Sequence, residues 1–307
     1  MGIFLQQIIN GLVQGSVYAL VALGYTMVYG ILGLINFAHG EVVMVGAMLA
    51  LSSLTVLLGW GVPTLLAALF SAGVAILGCM MLGYGIERIA YRPLRHAPRL
   101  APLITAIGVS IVLQNLAMMI WGRSYHAFPS LLDNQSHLIA GAIINDIQII
   151  IFVLAFAIMA GLMVMVHRTR FGRAMRAVAE NQHAAQLMGV DINRVISITF
   201  MLGSALAAVA GLMVSANYGL AHYYMGFLLG MKAFTAAVLG GIGNLRGAML
   251  GGLLLGLIES LGAGYIGDLT GGFLGSNYQD VFAFLVLITV LVFRPSGLLG
   301  ERIAERA

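Results

Sequence analysis

From Met1 to Ile86 the only fully ionised side chain is Glu41. A stretch this long with one charge cannot cover itself in water, and it holds several segments of ~20 apolar residues, the length that crosses a hydrocarbon core. The rest of the chain keeps the pattern. Of its 307 residues 61% are hydrophobic and 8% charged, against roughly a quarter charged in soluble domains, and the mean hydropathy is +1.00. Lipid forces every backbone group to be satisfied internally, which leaves helices or a closed barrel. The period-2 alternation of a barrel strand is absent. The expected fold class is therefore all-α, a polytopic transmembrane helical bundle forming a single domain over 1–307. Hydropathy marks candidate segments at 7–30, 41–58, 64–86, 101–121, 147–166, 195–216, 228–243, 247–264 and 279–293. The count is about 8–10 spans, because the stretch 31–41 also reads as a re-entrant or broken helix.

The arginines gather between these segments. Loop 87–100 carries Arg88, Arg92, Arg95 and Arg99, and loop 167–194 carries Arg168, Arg170, Arg173, Arg176 and Arg194. The tail holds Arg294, Arg302 and Arg306, Arg246 follows a short turn at Asn244, and loop 122–146 has only Arg123 beside Asp133 and Asp146. Because cytoplasmic loops carry the excess of Lys and Arg, the basic loops and the C-terminus are expected inside and the N-terminus outside; a re-entrant 31–41 would move the N-terminus inside. The net charge of +4 comes mostly from these loops and does not indicate a nucleic-acid partner. Cys79, the single cysteine, excludes an internal disulfide. The N-terminus shows no basic n-region and no small-residue cleavage site, so 1–29 reads as a retained first span.

One connection is long enough to form an element of its own. The sequence FGRAMRAVAENQHAAQLMGVD, 171–191, breaks the apolar run with a basic, water-compatible segment. Ala174, Ala177, Val178, Ala185 and Met188 recur at helical spacing among polar residues, and Gly189 is a stop signal. The spacing predicts one amphipathic helix of about four turns over 173–188, within a cytoplasmic loop 168–193. Two readings are open: a helix resting on anionic membrane lipid, or one docked by its small stripe in a groove on a soluble partner.

Polar groups inside spans are costly and become functional candidates by default. Asn36, His39 and Glu41 lie in a glycine-flanked stretch, which suits either a gate in the translocation path or a loop at the membrane surface with Glu41 at a helix N-terminus. Glu259 sits late in its segment and fits a polar partner or interfacial exposure equally, and Lys232 is expected outside, near the start of its segment. His126, His137 and His222 fall in outer loops without metal spacing. No nucleophile accompanies His39 and Glu41, so no catalytic residue, metal or cofactor is assigned. The set Gly247, Gly251, Gly252 and Gly256 allows close helix approach.

The segment Gly33-Leu34-Ile35-Asn36-Phe37-Ala38-His39-Gly40-Glu41, together with the run from Met231 through Lys232, Gly240, Gly241 and Gly243 to Asn244, resembles the high-affinity branched-chain amino acid permeases of ATP-binding-cassette (ABC) importers, in their LivH-type branch. Glu87-Arg88-x-x-Tyr91-Arg92-Pro93-Leu94 and Arg294-Pro295-x-Gly297-Leu298-x-Gly300 extend the likeness over the whole chain. His183-Ala184-Ala185-x-x-x-Gly189 is similar to the E-A-A-x-x-x-G coupling loop of such permeases, with histidine in place of the leading glutamate and the later I-x-L-P part missing. The resemblance implies a membrane subunit that is not itself an enzyme. It implies four kinds of partner: a second, LivM-like permease in a heterodimer, two cytoplasmic ATPase subunits, an extracytoplasmic binding protein and membrane lipid. It implies residence in the cell inner (cytoplasmic) membrane as a multi-pass protein. Arg173, Arg176, Glu180, His183, Ala184, Ala185 and Gly189 would then form the ATPase-coupling surface, and Asn36, His39, Glu41 and Glu259 the candidates for the path. The chain has no G-x-x-x-x-G-K-[ST] phosphate loop, which agrees with hydrolysis in separate subunits. Permeases for urea or short amides share much of this pattern, and a secondary transporter or channel is the more distant alternative.

Overall fold

The computed structural model describes residues 2–95, 97–98, 100–131, 134–271 and 278–300; Arg99, Asp133, Arg302 and Arg306 lie outside them. Among the described residues seven helices are long and apolar enough to cross a membrane, and two shorter apolar helices accompany them. In chain order these nine are α1 (Gly2–Leu32), α2 (His39–Gly59), α3 (Thr64–Ile86), α4 (Leu100–Trp121), α5 (Asp146–Arg168), α8 (Ile192–Tyr218), α9 (Met225–Gly240), α10 (Leu245–Leu269) and α11 (Gln279–Phe293), with the short α6 (Arg170–Glu180) and α7 (Gln182–Leu187) between α5 and α8. Each matches an expected segment, though α1 begins five residues earlier than hydropathy suggested. Its Gln6 and Gln7 depress hydropathy, yet both side chains are satisfied inside the fold, Gln6 by Ile143 and Gln7 by Ser260.

The two ends of the bundle differ in chemistry. At one end lie the C-terminal turn of α1, the π-helical and 3₁₀ continuation of α3 over Glu87–Leu94, and α6 and α7. At the other, two pairs of short antiparallel strands close the loops: β1 (His126–Ala127) with β4 (Leu220–Ala221), and β2 (Ser136–Ile139) with β3 (Ala142–Asn145). Apolar periodicity in the spans gives no sign of these strands. They form because the residues just beyond a span still need backbone partners. The hairpin holds the start of α1, since the Ile143 amide donates to Gln6 Oε1 at 2.7 Å. Gly2 therefore sits at the end opposite the basic loops; the expectation that a re-entrant 31–41 would bring the N-terminus to the basic end does not hold, because α2 still runs on to the far end, where Ser52 meets Trp121.

The core is organised around α1, whose residues from Gly15 to Val28 are all buried. A helix apolar on every side belongs in the interior. Its broadest contact is with α10, and further faces meet α8, α9 and α5. Glycine permits the α1–α10 approach. A Cβ on Gly256 would stand 2.4 Å from the Gly11 carbonyl oxygen and from the Gly15 Cα, and one on Gly252 would stand 2.4 Å from the Ala19 backbone. Gly247 and Gly251 serve the other neighbour, lying against Gly240 and the Ala236 carbonyl of α9. In lipid, association of helices depends on such close packing of small residues.

Replacing Gly256 by leucine is expected to force α1 and α10 apart, at the ~1–3 kcal/mol or more of an overpacked core, and to lower the melting temperature in detergent. Gly161→Leu, on an open face of α5 with nothing within 4 Å, should leave it unchanged.

Candidate functional site: polar groups inside the bundle

Gly33, with φ of +64°, ends α1 in a conformation natural to glycine. The chain then turns back into the bundle. His39, the first residue of α2, packs edge-on against Tyr25 with ring centroids 4.8 Å apart, and a Cβ on Gly24 would fall 2.2 Å from its Nε2. Gly24 precedes the end of α1 by eight residues, about 12 Å at 1.5 Å per residue, so α2 starts well inside the bundle. Residues 33–38 are thus a re-entrant segment. Asn36 holds it: its Oδ1 accepts the Ala38 amide at 3.2 Å and the Tyr91 hydroxyl at 3.0 Å, and its carbonyl accepts the His39 amide at 3.0 Å. This is the Asx-type local bonding that lets asparagine replace helical hydrogen bonds.

Glu41, in the first turn of α2, is 1% exposed. Its Oε1 accepts Gln114 Nε2 at 2.7 Å and Ser110 Oγ at 3.2 Å from α4. Neither its Oε2 nor His39 Nε2 has a hydrogen-bond partner among the described residues. Beside Glu41 a cavity of about 70 Å³ opens, bounded by Tyr25, Phe37, Ile107, Phe227 and Met231. Of the two readings of this stretch, burial favours the interior one over a surface loop.

A second polar cluster lies between α1, α9, α10 and α11. Lys232 Nζ is paired with Glu259 Oε1 and lies 2.8 Å from Asp280 Oδ1. Glu259 Oε2 accepts the Tyr18 hydroxyl at 2.8 Å, and Gln14 donates to Tyr18. This corrects the expectation for Lys232. It stands in the middle of α9, drawn inward by the two carboxylates instead of anchored outside, and Glu259 is 1% exposed with its partners in the same chain. Its hydropathy environment concealed this, because the pair is 27 residues apart in sequence and meets only through the α9–α10 turn. Removing one member of a buried pair strands the other charge.

At the basic end, Glu87 is fully buried, paired with Arg95 and accepting Ser197 Oγ at 2.7 Å. Burial lowers the Arg95 guanidinium from its usual value and the Glu87 charge opposes the shift; arginine remains charged. Arg95 also donates to Asn193 Oδ1 at 2.6 Å. Tyr91, one turn beyond Glu87, is the donor that reaches Asn36, so the loop after α3 ties the re-entrant segment to the start of α8.

The polar segment after α5 is two helices where the spacing predicted one. Asn181, with φ −157° and ψ 107°, leaves the helix, and its Oδ1 accepts the Ala184 amide at 2.9 Å as the cap of α7. A capping asparagine in extended conformation outcompetes continuation of the helix. The apolar stripe is divided accordingly. Met175, Val178 and Ala185 are buried, while Ala177 is exposed and Leu187 and Met188 are 76% and 84% exposed. Arg173, Arg176, Glu180, His183, Ala184 and Gly189 all face outward, with Arg176 also bonded to the Val166 carbonyl. Gly189, at φ +81°, ends α7 as expected. Gln182 Nε2 donates to the Ile31 carbonyl at 3.0 Å, which joins this surface to the last turn of α1.

Sequence reasoning missed Tyr18, Gln14, Asp280, Ser110 and Gln114 as members of these clusters. Ser110 and Gln114 carried a usable signal, a polar pair at i, i+4 in a largely apolar span.

A multi-pass helical bundle with a re-entrant break and buried charged groups in its interior has the architecture of a membrane permease. Residues 7–291 match the family model described as branched-chain amino acid transport system / permease component. The chain is 49% identical to the high-affinity branched-chain amino acid transport system permease protein BraD of Pseudomonas aeruginosa, over 99% of this chain and 98% of that one. It is 46% identical to the corresponding LivH protein of Salmonella typhimurium over 99% and 97% of the two chains, and 30% identical to a probable LivH of Methanocaldococcus jannaschii over 95% and 91%. The chain belongs to the branched-chain amino acid transport permease family.

The Lys232→Met variant is expected to lose about 3–5 kcal/mol of stability by stranding Glu259, read as a lower melting temperature. Lys232→Met combined with Glu259→Gln should recover most of the loss; a double variant as unstable as the single would contradict the pairing.

Proposed function

We propose that this chain is a permease subunit of an ABC importer that carries branched-chain amino acids across the inner (cytoplasmic) membrane. It would work beside a second related permease, with two ATPase subunits at its basic end and an extracytoplasmic binding protein at the other. The observation that carries this reading is similarity at 49% identity along nearly the full length of a chain named for that transport system. A urea or short-amide substrate finds no comparable support.

The geometry supports a route for coupling. Leu187 and Met188 are exposed apolar side chains beside the exposed Arg173, Arg176, Glu180 and His183, a composition suited to a groove on a soluble partner. Displacement of α7 would act on the end of α1 through the Gln182–Ile31 bond, next to the re-entrant segment. Asn36 and Tyr91 would carry the shift to the loop after α3, and rocking of the helix ends would open the path alternately to each side. No step of this route requires ATP to touch this chain.

The test is ATP-driven uptake of radiolabelled leucine into proteoliposomes holding the chain with its co-expressed ATPase, second permease and binding protein. Leucine accumulation that stops without ATP is expected; uptake of urea or an amide in place of leucine would overturn the substrate. In the same preparation, Leu187→Asp with Met188→Asp should abolish co-purification of the ATPase without lowering the melting temperature, because both side chains are exposed. Unchanged co-purification would remove α7 as the coupling element.

A further inference from the structure

The half-compensated carboxylate of Glu41 is the unusual group in this bundle. Glu259 is answered by a lysine and Glu87 by an arginine, whereas Glu41 has only the neutral Ser110 and Gln114, both on one oxygen. Its Oε2 is buried, unpartnered among the described residues, and directed at Gly226, where a Cβ would stand 2.8 Å away. Gly226 borders the cavity beside Glu41. A buried carboxylate oxygen without a donor is costly, and a proton or a cation entering the cavity would relieve the cost.

The walls select the kind of cation. Among the residues lining the cavity Glu41 alone is charged; Lys232, next to Met231 in sequence, is held away by Glu259 and Asp280. A hard metal ion asks for six or more oxygen ligands; beside Glu41 the lining side chains offer only the Tyr25 and Ser110 hydroxyls, and Phe37, Ile107, Phe227 and Met231 supply none. A primary ammonium brings three donors on an apolar stem, and aromatic faces attract it further. The space, about 70 Å³, holds about five water-sized groups at ~10–15 Å³ each, enough for an ammonium and the carbons attached to it. Glycine at Gly40, Gly226 and Gly230 keeps α2 and α9 close enough to form this wall, since a Cβ on Gly230 would stand 2.7 Å from the Gly40 Cα.

We propose that Glu41 Oε2 receives the ammonium group of the amino acid in transit, with Phe37, Ile107, Phe227 and Met231 against its aliphatic part. This inference rests on the transport reading above and adds to it a substrate subsite within the membrane. The subsite accepts any aliphatic primary amine of this size and rejects the matching acid. Specificity for the ammonium is thus imposed a second time, after capture of the substrate outside.

The test uses the assembled importer in detergent without its binding protein. Met231→Cys provides a thiol at the cavity wall, and the native Cys79 is buried. Maleimide labelling of this chain is followed by mass spectrometry. Leucine and isoamylamine, which keeps the ammonium and lacks the carboxylate, should each slow labelling several-fold, and isocaproate, which lacks the ammonium, should not. Glu41→Gln should abolish the protection, and Glu41→Asp should retain part of it. Equal protection by isocaproate, by sodium chloride alone or in the Glu41→Gln background would overturn the subsite while leaving the transport reading intact. Should Glu41→Gln fail to assemble, the amine–acid comparison with Glu41 in place still decides. No protection by any ligand in an importer that accumulates leucine would overturn the subsite alone. An importer with Met231 in place that carries no leucine would overturn both.

Discussion

Backbone that leaves the helix inside a membrane must find its hydrogen bonds within the protein. Residues 33–38 meet part of that demand through the side chain of Asn36, which accepts the Ala38 amide and the Tyr91 hydroxyl, and part through backbone bonds from Gly33 to Tyr29 and from His39 to Asn36. The rest of the arrangement follows from this. Because the segment turns back on these bonds, α2 starts at the level of Tyr25 and not at the bundle's end, and Glu41 in its first turn is carried into the interior. Tyr91 in turn fixes the loop after α3, where Glu87 and Arg95 hold the start of α8.

The second demand is room. A re-entrant segment and the buried Glu41 and Glu259 are accommodated only if the surrounding helices approach closely, and glycine on α1, α2, α9 and α10 provides that approach. The result is an interior with two different electrostatic characters. At Glu259 charge is matched within the chain by Lys232, and the cluster cross-links four helices. At Glu41 the match is incomplete, and the unpaired oxygen borders an apolar cavity. The first site is closed within the chain, and the second leaves a carboxylate oxygen open toward the cavity.

Much of the fold was legible in the sequence. The nine apolar helices, one of the two readings of 31–41 and the glycine contacts of Gly252 and Gly256 follow from hydropathy, glycine spacing and the cost of charge in lipid. What was not legible depends on contacts distant in sequence. Lys232 was expected outside because nothing near it in sequence can neutralise it, while Glu259 and Asp280 reach it only after the chain has turned. The break at Asn181 was hidden for a different reason: apolar spacing continues through it, and only the competition between capping and helix propagation ends α6 there. Asn36, His39 and Glu41 were recognisable as interior candidates, but their partners Tyr91, Ser110 and Gln114 come from elements whose own patterns are those of ordinary spans and loops.

The central claim is that 33–38 re-enters the bundle and packs against the middle of α9, where the rings of Phe37 and Phe234 lie 5.5 Å apart. The most direct measurement is cross-linking of a Phe37→Cys, Phe234→Cys pair by a short bifunctional thiol reagent in native membranes, identified from the joined peptides. Rapid intramolecular cross-linking is the predicted result. Cysteines that label separately and never join would place 33–38 at the membrane surface and contradict the account.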